Sequence, residues 1–218
     1  MYETLANSPF FNGLTAKEIK DVLQTINYKI VEYPAKEIYT LAGMPCKYAD
    51  FILKGELISR MTGLSGKQVQ IDRLKACILK APAFIFAKNN AMPVSVETTQ
   101  HTTIMRMKPS ELKYLIDSNE RIRMNFIQLL SSIDVFLTQK LRMVSLFTVR
   151  EKVAYFLMKA AREQQSRTIR LSNSRQEIAD TFGIQKFSLL RCLSEFEDNG
   201  AIKIDGKQIT ILNSDKMR

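Results

Sequence analysis

The spacing of hydrophobic positions changes several times along the chain. Residues 2–26 have the 3–4 spacing of short helices, whereas residues 27–108 contain short apolar runs separated by Gly and Pro, which is typical of strands joined by tight turns. Residues 110–144 return to helical spacing without Gly or Pro, and residues 145–165 form a further helical pattern. The pattern predicts an α+β fold in which an N-terminal antiparallel β-roll, a double-stranded β-helix or jelly roll, is followed by helices.

The helical stretch that ends at residue 144 has two apolar seams. One seam has 4–3 spacing, and its residues are Ile122, Phe126, Leu129, Ile133, Phe136 and Met143. The second seam has a polar interruption, and its residues are Ile127, Leu130, Asp134, Leu137, Leu141 and Val144. Two seams need two partners, so we predict that the roll covers one and a second copy of the helix covers the other. The alternative is the core helix of a monomer.

The stretch SRQEIADTFGIQKFSLLRCLSEFEDNG, which begins at Ser174, carries the most informative motif. Ser174 and Glu177 form a capping box that opens a short helix. Ala179, then Gly183 four residues on, then Leu189 six residues further have the spacing of a helix-turn-helix. A small residue permits close helix crossing, glycine permits the turn, and leucine fills the gap between the helices.

The second helix of this motif has two different faces on a helical wheel. Leu189, Cys192, Leu193 and Phe196 cluster on one side, so we expect them to be buried. The opposite side and the first turn hold the candidate base readers Lys186, Phe187, Ser188, Arg191 and Ser194. An outward Phe187 suits a thymine methyl group. Alternating residues around Asp205-Gly206 then predict a hairpin, which makes the motif a winged helix.

Composition narrows the function classes. The net charge of +10 favours anionic partners, although the charge is spread along the chain. Three scattered cysteines and no long apolar run predict a reduced, cytoplasmic protein without a metal site or a membrane span. The single histidine, His101, leaves no catalytic triad, and no P-loop, GxGxxG or HExxH motif is present. We therefore predict that the protein is not an enzyme.

Three stretches resemble the Crp/Fnr family of bacterial transcription regulators, over nearly the whole chain. They are SPFFNGLTAKEIKDVL, YADFILKGELISRM and the segment from Ser174 to Ile211, SRQEIADTFGIQKFSLLRCLSEFEDNGAIKIDGKQITI. The resemblance implies an effector-sensing β-roll domain (1–117), a dimerisation helix (118–144) and a winged helix-turn-helix domain (145–218). It implies a homodimer bound to double-stranded DNA at an inverted repeat, with RNA polymerase as a further candidate partner.

The same resemblance implies DNA contacts from particular residues: Arg175, Gln176, Lys186, Ser188 and Arg191. Phe187 replaces the acidic residue that is common at its position, so the family's usual half-site is not expected here. By resemblance, adenine contacts from the dimerisation helix would fall on Leu137 and Thr138.

The predicted effector site departs from the cyclic-nucleotide members. Their Gly-Glu and Arg-Ser pairs are replaced by Ala81-Pro82 and Met92-Pro93, so cyclic AMP and cyclic GMP would lack a charge partner and are disfavoured. The residues that would line the site are mainly apolar: Leu79, Pro82, Phe84, Phe86, Met92, Val94, Leu137 and Thr138. We expect either a filled core without a ligand or an apolar or planar effector. A haem-based nitric oxide or redox sensor and an atypical cyclic-nucleotide site remain alternatives. His101 lies in a polar turn, which favours a surface residue over a haem ligand.

Overall fold

The structure, a computed structural model, describes residues 1–63 and 68–217; for residues 68–72, 140 and 144 it describes the backbone alone. The chain divides into two compact units, Met1–Val135 and Phe136–Arg218. Within the described residues, every helix is too short or too polar to cross a lipid bilayer.

The first unit begins with short helices, continues as strands and ends in helix. Its helices are α1 (Tyr2–Ala6), α2 (Ala16–Leu23), α3 (Pro82–Ile85), α4 (Pro109–Ser118) and the start of α5 (Glu120–Leu146). Its strands are β1 (Tyr28–Tyr33), β2 (Ile38–Thr40), β3 (Ala49–Lys54), β4 (Glu56–Thr62), β5 (Gln68–Lys75), β6 (Ser95–Thr98) and β7 (Thr102–Met107).

These strands form two antiparallel sheets, in the orders β1-β7-β3 and β2-β6-β4-β5. Ile52 of β3 pairs with Ile104 of β7, and both pack with Leu57 and Val96 of the second sheet. Apolar residues from both sheets therefore meet, which is the arrangement of a β-roll. The predicted α+β fold with an antiparallel roll is confirmed.

The opposite face of the β1-β7-β3 sheet packs against helical segments. Phe10 lies edge-on to Phe51 of β3 at 5.3 Å and to Phe126 of α5 at 6.1 Å between ring centroids. The buried Asn125 side chain donates hydrogen bonds to the carbonyl oxygens of Phe10 and Asn12, at 3.1 and 2.9 Å. The N-terminal segment is thus held to α5 by both apolar and polar contacts.

The helical stretch predicted over 110–144 is interrupted at Asn119, where the backbone is extended. The Asn119 side chain accepts a hydrogen bond from the Ile122 amide at 3.1 Å, so Asn119 caps a new helix instead of continuing α4. The sequence has no Gly or Pro here to end the helix, and the capping side chain of Asn119 separates the two helices instead.

The second unit contains the end of α5 and the remaining elements: α6 (Val149–Glu163), β8 (Thr168–Arg170), α7 (Arg175–Thr181), α8 (Lys186–Asp198), β9 (Ile202–Asp205) and β10 (Gln208–Ile211). The strands form an antiparallel sheet in the order β8-β10-β9. Its core joins residues of α6, α7, α8 and the sheet, including Leu157, Ala179, Leu189, Phe196 and Ile209. The predicted winged helix-turn-helix is confirmed.

Candidate nucleic-acid interface

A capping box starts the first helix of the motif. The Ser174 hydroxyl accepts a hydrogen bond from the Glu177 amide at 3.2 Å, and the Glu177 carboxylate accepts one from the Ser174 amide at 2.7 Å. Both helix-terminal donors are satisfied, which fixes where α7 begins. Gly183, at a φ of +63°, then turns the chain between α7 and α8.

Helix α8 separates a buried face from an exposed one. Its buried residues are Leu189, Cys192, Leu193 and Phe196, as the helical wheel predicts. Burial raises the pKa of the Cys192 thiol to about 11, so this cysteine acts as a small apolar residue. The inward side chains pack among Ile178, Ala179 and Phe182 of the α7 region, which leaves the other face of α8 open.

The open face carries an unusual proportion of apolar surface. Phe187 is 71% exposed and Leu190 is 42% exposed. Arg191 and Ser194 are exposed on the same stripe, because positions 187, 190, 191 and 194 are spaced three and four residues apart. The Arg191 guanidinium lies 3.6 Å from the Glu195 carboxylate, an exposed pair one helical turn apart. Such a pair holds the arginine only weakly and leaves it available to another anion.

The remaining predicted reader residues surround the start of α7 and α8. Lys186 is exposed and Ser188 is half-buried in the first turn of α8. The Gln176 amide group donates a hydrogen bond to Asp180 at 2.9 Å. Arg175 is half-buried, and its guanidinium donates a hydrogen bond to the Gly206 carbonyl at 3.2 Å. Burial lowers the pKa of Arg175.

The bond from Arg175 to Gly206 joins the start of α7 to the tip of the wing. In the hairpin Asp205 pairs with Gln208, so the two-residue turn is Gly206-Lys207. The turn lies one residue later than the Asp205-Gly206 turn that the sequence predicts, because Asp205 still pairs within the ladder. Gly206 has a φ of +55°, which suits this tight turn.

Three exposed residues of this surface were missed by the sequence analysis. Leu190 was not predicted, although its spacing of three residues from Phe187 already places both on one face of the helix. Lys203 and Lys207 are exposed on the wing, and alternation in β9 already places Lys203 opposite the buried Ile202 and half-buried Ile204. Lysines on a wing are suited to phosphate contacts.

Comparison with known proteins agrees with this geometry. The family description "Crp-like helix-turn-helix domain" matches residues 151–218. Residues 151–218 form a Crp-like helix-turn-helix domain, and the chain is similar to transcription regulators of the Crp/Fnr family. The matched region contains α7, α8 and the wing, so the elements described above are those of the family's DNA-binding domain.

The chain is also similar to two transcription regulators in sequence and to a solved structure in fold. The transcriptional activator protein Anr of Pseudomonas aeruginosa is 28% identical over 127 residues, which cover 56% of this chain and 52% of Anr. The match therefore spans about half of that relative's length. The cAMP-activated global transcriptional regulator CRP of Haemophilus influenzae is 22% identical over 184 residues, which cover 83% of this chain and 82% of CRP. The structure of FixK2 from Bradyrhizobium japonicum is similar in fold, with a TM-score of 0.62 and 17% identity over 88% of this chain and 96% of FixK2.

The residues predicted for a dimer interface lie on α5 with different exposures. Ile127, Asp134, Leu137 and Leu141 are exposed, and Leu141 reaches 66%. Leu130 is half-buried and packs against the core of the first unit. The side chain of Val144 lies outside the described part of the chain. Phe136, expected on the core-facing seam, is instead exposed.

The residues predicted for an effector pocket do not share one environment. Leu79, Pro82 and Met92 are buried, and Phe84 and Val94 are partly buried against the same core. Phe86 is exposed and lies edge-on to Phe126 at 5.9 Å. Leu137 and Thr138 are exposed and belong to the second unit. His101 is exposed, with its Nε2 3.5 Å from the Glu32 carboxylate.

Pro82 and Met92 themselves supply no cation to a cyclic phosphate. At the positions where the cyclic-nucleotide members hold the phosphate, the structure has the buried apolar side chains of Pro82 and Met92. Within the described residues, no cluster of three or more His, Cys, Asp or Glu side chains could hold a metal ion. The side chains of Pro82 and Met92 therefore offer no partner to a phosphate, and the described residues hold no metal cluster.

Proposed function

We propose that this Crp/Fnr protein binds a specific inverted-repeat operator as a homodimer and regulates transcription through an effector that is not a cyclic nucleotide. The observation that carries the DNA-reading part is the open face of α8. Phe187, Leu190 and Arg191 lie there without cover in a Crp-like helix-turn-helix. The N-terminal half of a recognition helix is the part that reaches base edges in the major groove.

The chemistry of this face indicates which bases it reads. Arginine pairs with guanine O6 and N7, and apolar side chains pack against the thymine methyl group. Exposed lysines at the start of α8 (Lys186) and on the wing (Lys203 and Lys207) supply positive charge, which suits contacts to phosphates. We therefore propose a half-site with a guanine contacted by Arg191 and a thymine contacted by Phe187.

The test begins with selection of binding sites from random DNA by the full chain, followed by gel-shift titration. Arg191→Ala should weaken binding to the selected site by about 1–3 kcal/mol and bind random DNA nearly as well as the parent. Arg162→Ala, which removes an exposed arginine of α6, is the matched control and should leave both affinities unchanged. Equal binding of Arg191→Ala and parent protein to the selected site would refute the assignment.

The thymine contact has a test at the level of a single methyl group. Replacing one thymine of the half-site by uracil removes only that methyl group, so the parent should lose affinity at one position. Phe187→Ala should bind the thymine and uracil sites equally, because the side chain that senses the methyl group is gone. Discrimination that persists in Phe187→Ala would place the thymine contact elsewhere.

The effector part is tested by calorimetry with cyclic AMP and cyclic GMP. Neither nucleotide should give a heat of binding at millimolar concentration, because Pro82 and Met92 themselves offer neither a charge nor a hydrogen bond to a cyclic phosphate and its ribose. Met92→Arg is the substitution best placed to restore that charge. Micromolar binding of either nucleotide to the parent protein would contradict the proposal.

A further inference from the structure

A cluster of charged and aromatic side chains lies within the roll. Asp50 is 1% exposed, and its carboxylate accepts hydrogen bonds from Arg106 at 3.0 Å to Oδ1 and 2.7 Å to Oδ2. The Tyr39 hydroxyl also donates to this carboxylate. Asp50 and Arg106 face the same side of the sheet as Ile52 and Ile104, which join the two sheets. The single carboxylate is therefore fully used by Arg106 and Tyr39.

Lys80 brings a second positive charge to the same cluster. It is 6% exposed, and its ammonium lies 3.9 Å from the centre of the Tyr39 ring. Within residues 1–63 and 68–217 the Lys80 ammonium makes neither a hydrogen bond nor an ion pair. Burial lowers the pKa of Lys80 to about 8, so the ammonium remains the main form at neutral pH. A buried cation without a paired anion costs free energy, and a ligand could remove that cost.

A cavity of about 220 Å³ lies beside this ammonium. Its wall includes the rings of Tyr33, Tyr39 and Tyr48 together with Lys80, Arg106 and Met92. The Arg106 guanidinium carbon lies 5.8 Å from the centre of the Tyr33 ring, 5.6 Å from that of Tyr39 and 4.7 Å from that of Tyr48. The cavity therefore combines a cation that lacks an anionic partner with flat aromatic walls.

We propose that this cavity binds a small organic monoanion, in which a carboxylate pairs with Lys80 and a planar body packs against the tyrosine rings. The charges of the site support one negative charge, since the buried Lys80 and the partly buried Arg106 face one buried carboxylate. The volume supports a small ligand, because pockets for drug-sized molecules have volumes of about 300–1,000 Å³. The exposed Lys47, also part of the wall, adds positive potential to the site.

The assignment is independent of the proposed DNA-binding function, because ligand binding is measured on the full chain without DNA. Benzoate is the probe, since it has one carboxylate and one planar ring. Benzamide has the same shape without the charge, and inorganic phosphate has charge without a planar body. Binding is measured by calorimetry and by the thermal unfolding midpoint at about 10 mM ligand.

The expected result is a rise in the unfolding midpoint of about 2–4 °C with benzoate, together with a heat of binding. Benzamide and inorganic phosphate should bind at least about tenfold more weakly, because each lacks one of the two matched features. Equal effects of benzoate and benzamide would overturn the role of Lys80. Tighter binding of phosphate would overturn the organic class of the ligand, and no effect of benzoate would overturn the site.

Lys80→Met separates the proposed contact from general effects of salt or hydrophobicity. Methionine retains the length of the side chain and removes the buried charge, so the variant should fold with an unfolding midpoint no lower than that of the parent. The benzoate-induced shift should be lost. Lys88→Met, which removes an exposed lysine of the same region, should retain the full shift. A shift retained in Lys80→Met would contradict the proposal.

Discussion

Single side chains of the first unit contribute very differently to the free energy of unfolding. The buried Asp50 carboxylate holds Arg106 and Tyr39 and faces Lys80, whereas the exposed Asp117 carboxylate pairs with Lys113 one helical turn away. Buried charges depend on their partners because water cannot replace them, and exposed charges are readily resolvated. The two aspartates provide a matched comparison in one chain.

Asp50→Ala should lower the free energy of unfolding by about 3–5 kcal/mol, because it leaves the partly buried Arg106 without its carboxylate and removes the negative charge that acts on the buried Lys80. Asp117→Ala should change it by less than about 1 kcal/mol. Both values are measured by urea denaturation of the full chain. An Asp50→Ala variant as stable as Asp117→Ala would show that Asp50 does not hold the cluster together.

Lys80 gives the protein a dependence of stability on pH. The folded pKa of about 8 lies below the ordinary lysine value of about 10.4, so the unfolded chain binds more protons between these two values. The free energy of unfolding should therefore rise relative to that of Lys80→Met as pH increases from about 8 towards 10. Asp50, Arg106, Tyr39 and Cys46 also act on Lys80 or share its surroundings, and they remain in the variant. The comparison is made by denaturation at pH 7 and about pH 9.5, and a constant difference between the two proteins would contradict it.

At the scale of elements, glycine conformation fixes the turn between β3 and β4. Gly55 has a φ of +95°, and an added Cβ would lie 2.5 Å from the Thr102 hydroxyl and 2.8 Å from the His101 carbonyl oxygen. Gly43 has a similar φ of +84°, but nothing lies within 4 Å of its Cβ position. Both positions therefore have the same left-handed backbone strain, but only at Gly55 is the place of an added Cβ already filled by other atoms.

Gly43→Ala should therefore cost about 1 kcal/mol through left-handed strain alone. Gly55→Ala should cost about 1–3 kcal/mol more, since the backbone of β7 must move. Thermal and urea unfolding of both variants measure the difference. Equal losses would mean that the turn adjusts without disturbing β7.

Local signals explain which elements the sequence could predict. Strand β1, Tyr28–Tyr33, lies at the start of the region 27–108 in which strands were predicted, because alternation and Pro34 define it locally. The capping box of Thr148 and Glu151 was not predicted, although its spacing is visible in the sequence. The helix was instead expected to begin at residue 145, because the apolar residues before Thr148 also fit helical spacing. The turn between β9 and β10 was placed one residue early, since pairing of Asp205 depends on the opposite strand.

The charged cavity shows what sequence reasoning could not reach. Asp50 and Arg106 are 56 residues apart, so only the pairing of β3 with β7 brings them together. A signal existed, because Asp50 lies between Ala49 and Phe51, and Arg106 lies between Met105 and Met107, so each charge has apolar neighbours in the sequence. The pocket was expected to be apolar from Pro82 and Met92. Met92 does line the cavity, but Lys80, two residues before Pro82, changes its charge.

At the scale of the whole molecule, helix α5 carries exposed apolar residues that suit a second copy. Ile127 in the first unit and Leu137 and Leu141 in the second are each about half exposed or more. Monomeric proteins rarely leave such stripes open to water. The resemblance to Crp/Fnr regulators led to the same expectation of a homodimer.

Leu141→Glu should shift the protein from dimer to monomer in sedimentation at micromolar concentration, because a charge would be buried at the predicted seam. The variant should also lose affinity for an inverted repeat while its affinity for a single half-site changes little. Gln139→Glu on the same exposed stretch is the control, since its position lies off the seam. A parent protein that sediments as a monomer at this concentration would refute the dimer.

The exposed stripe of α5 has a consequence for gene dosage. If only paired copies occupy the operator, then at concentrations below the pairing constant the amount of active regulator follows the square of the total amount. Halving expression would then reduce active regulator about fourfold, by mass action alone. A cell carrying this protein at low copy number would switch its target genes over a narrow range of expression, with no ligand involved.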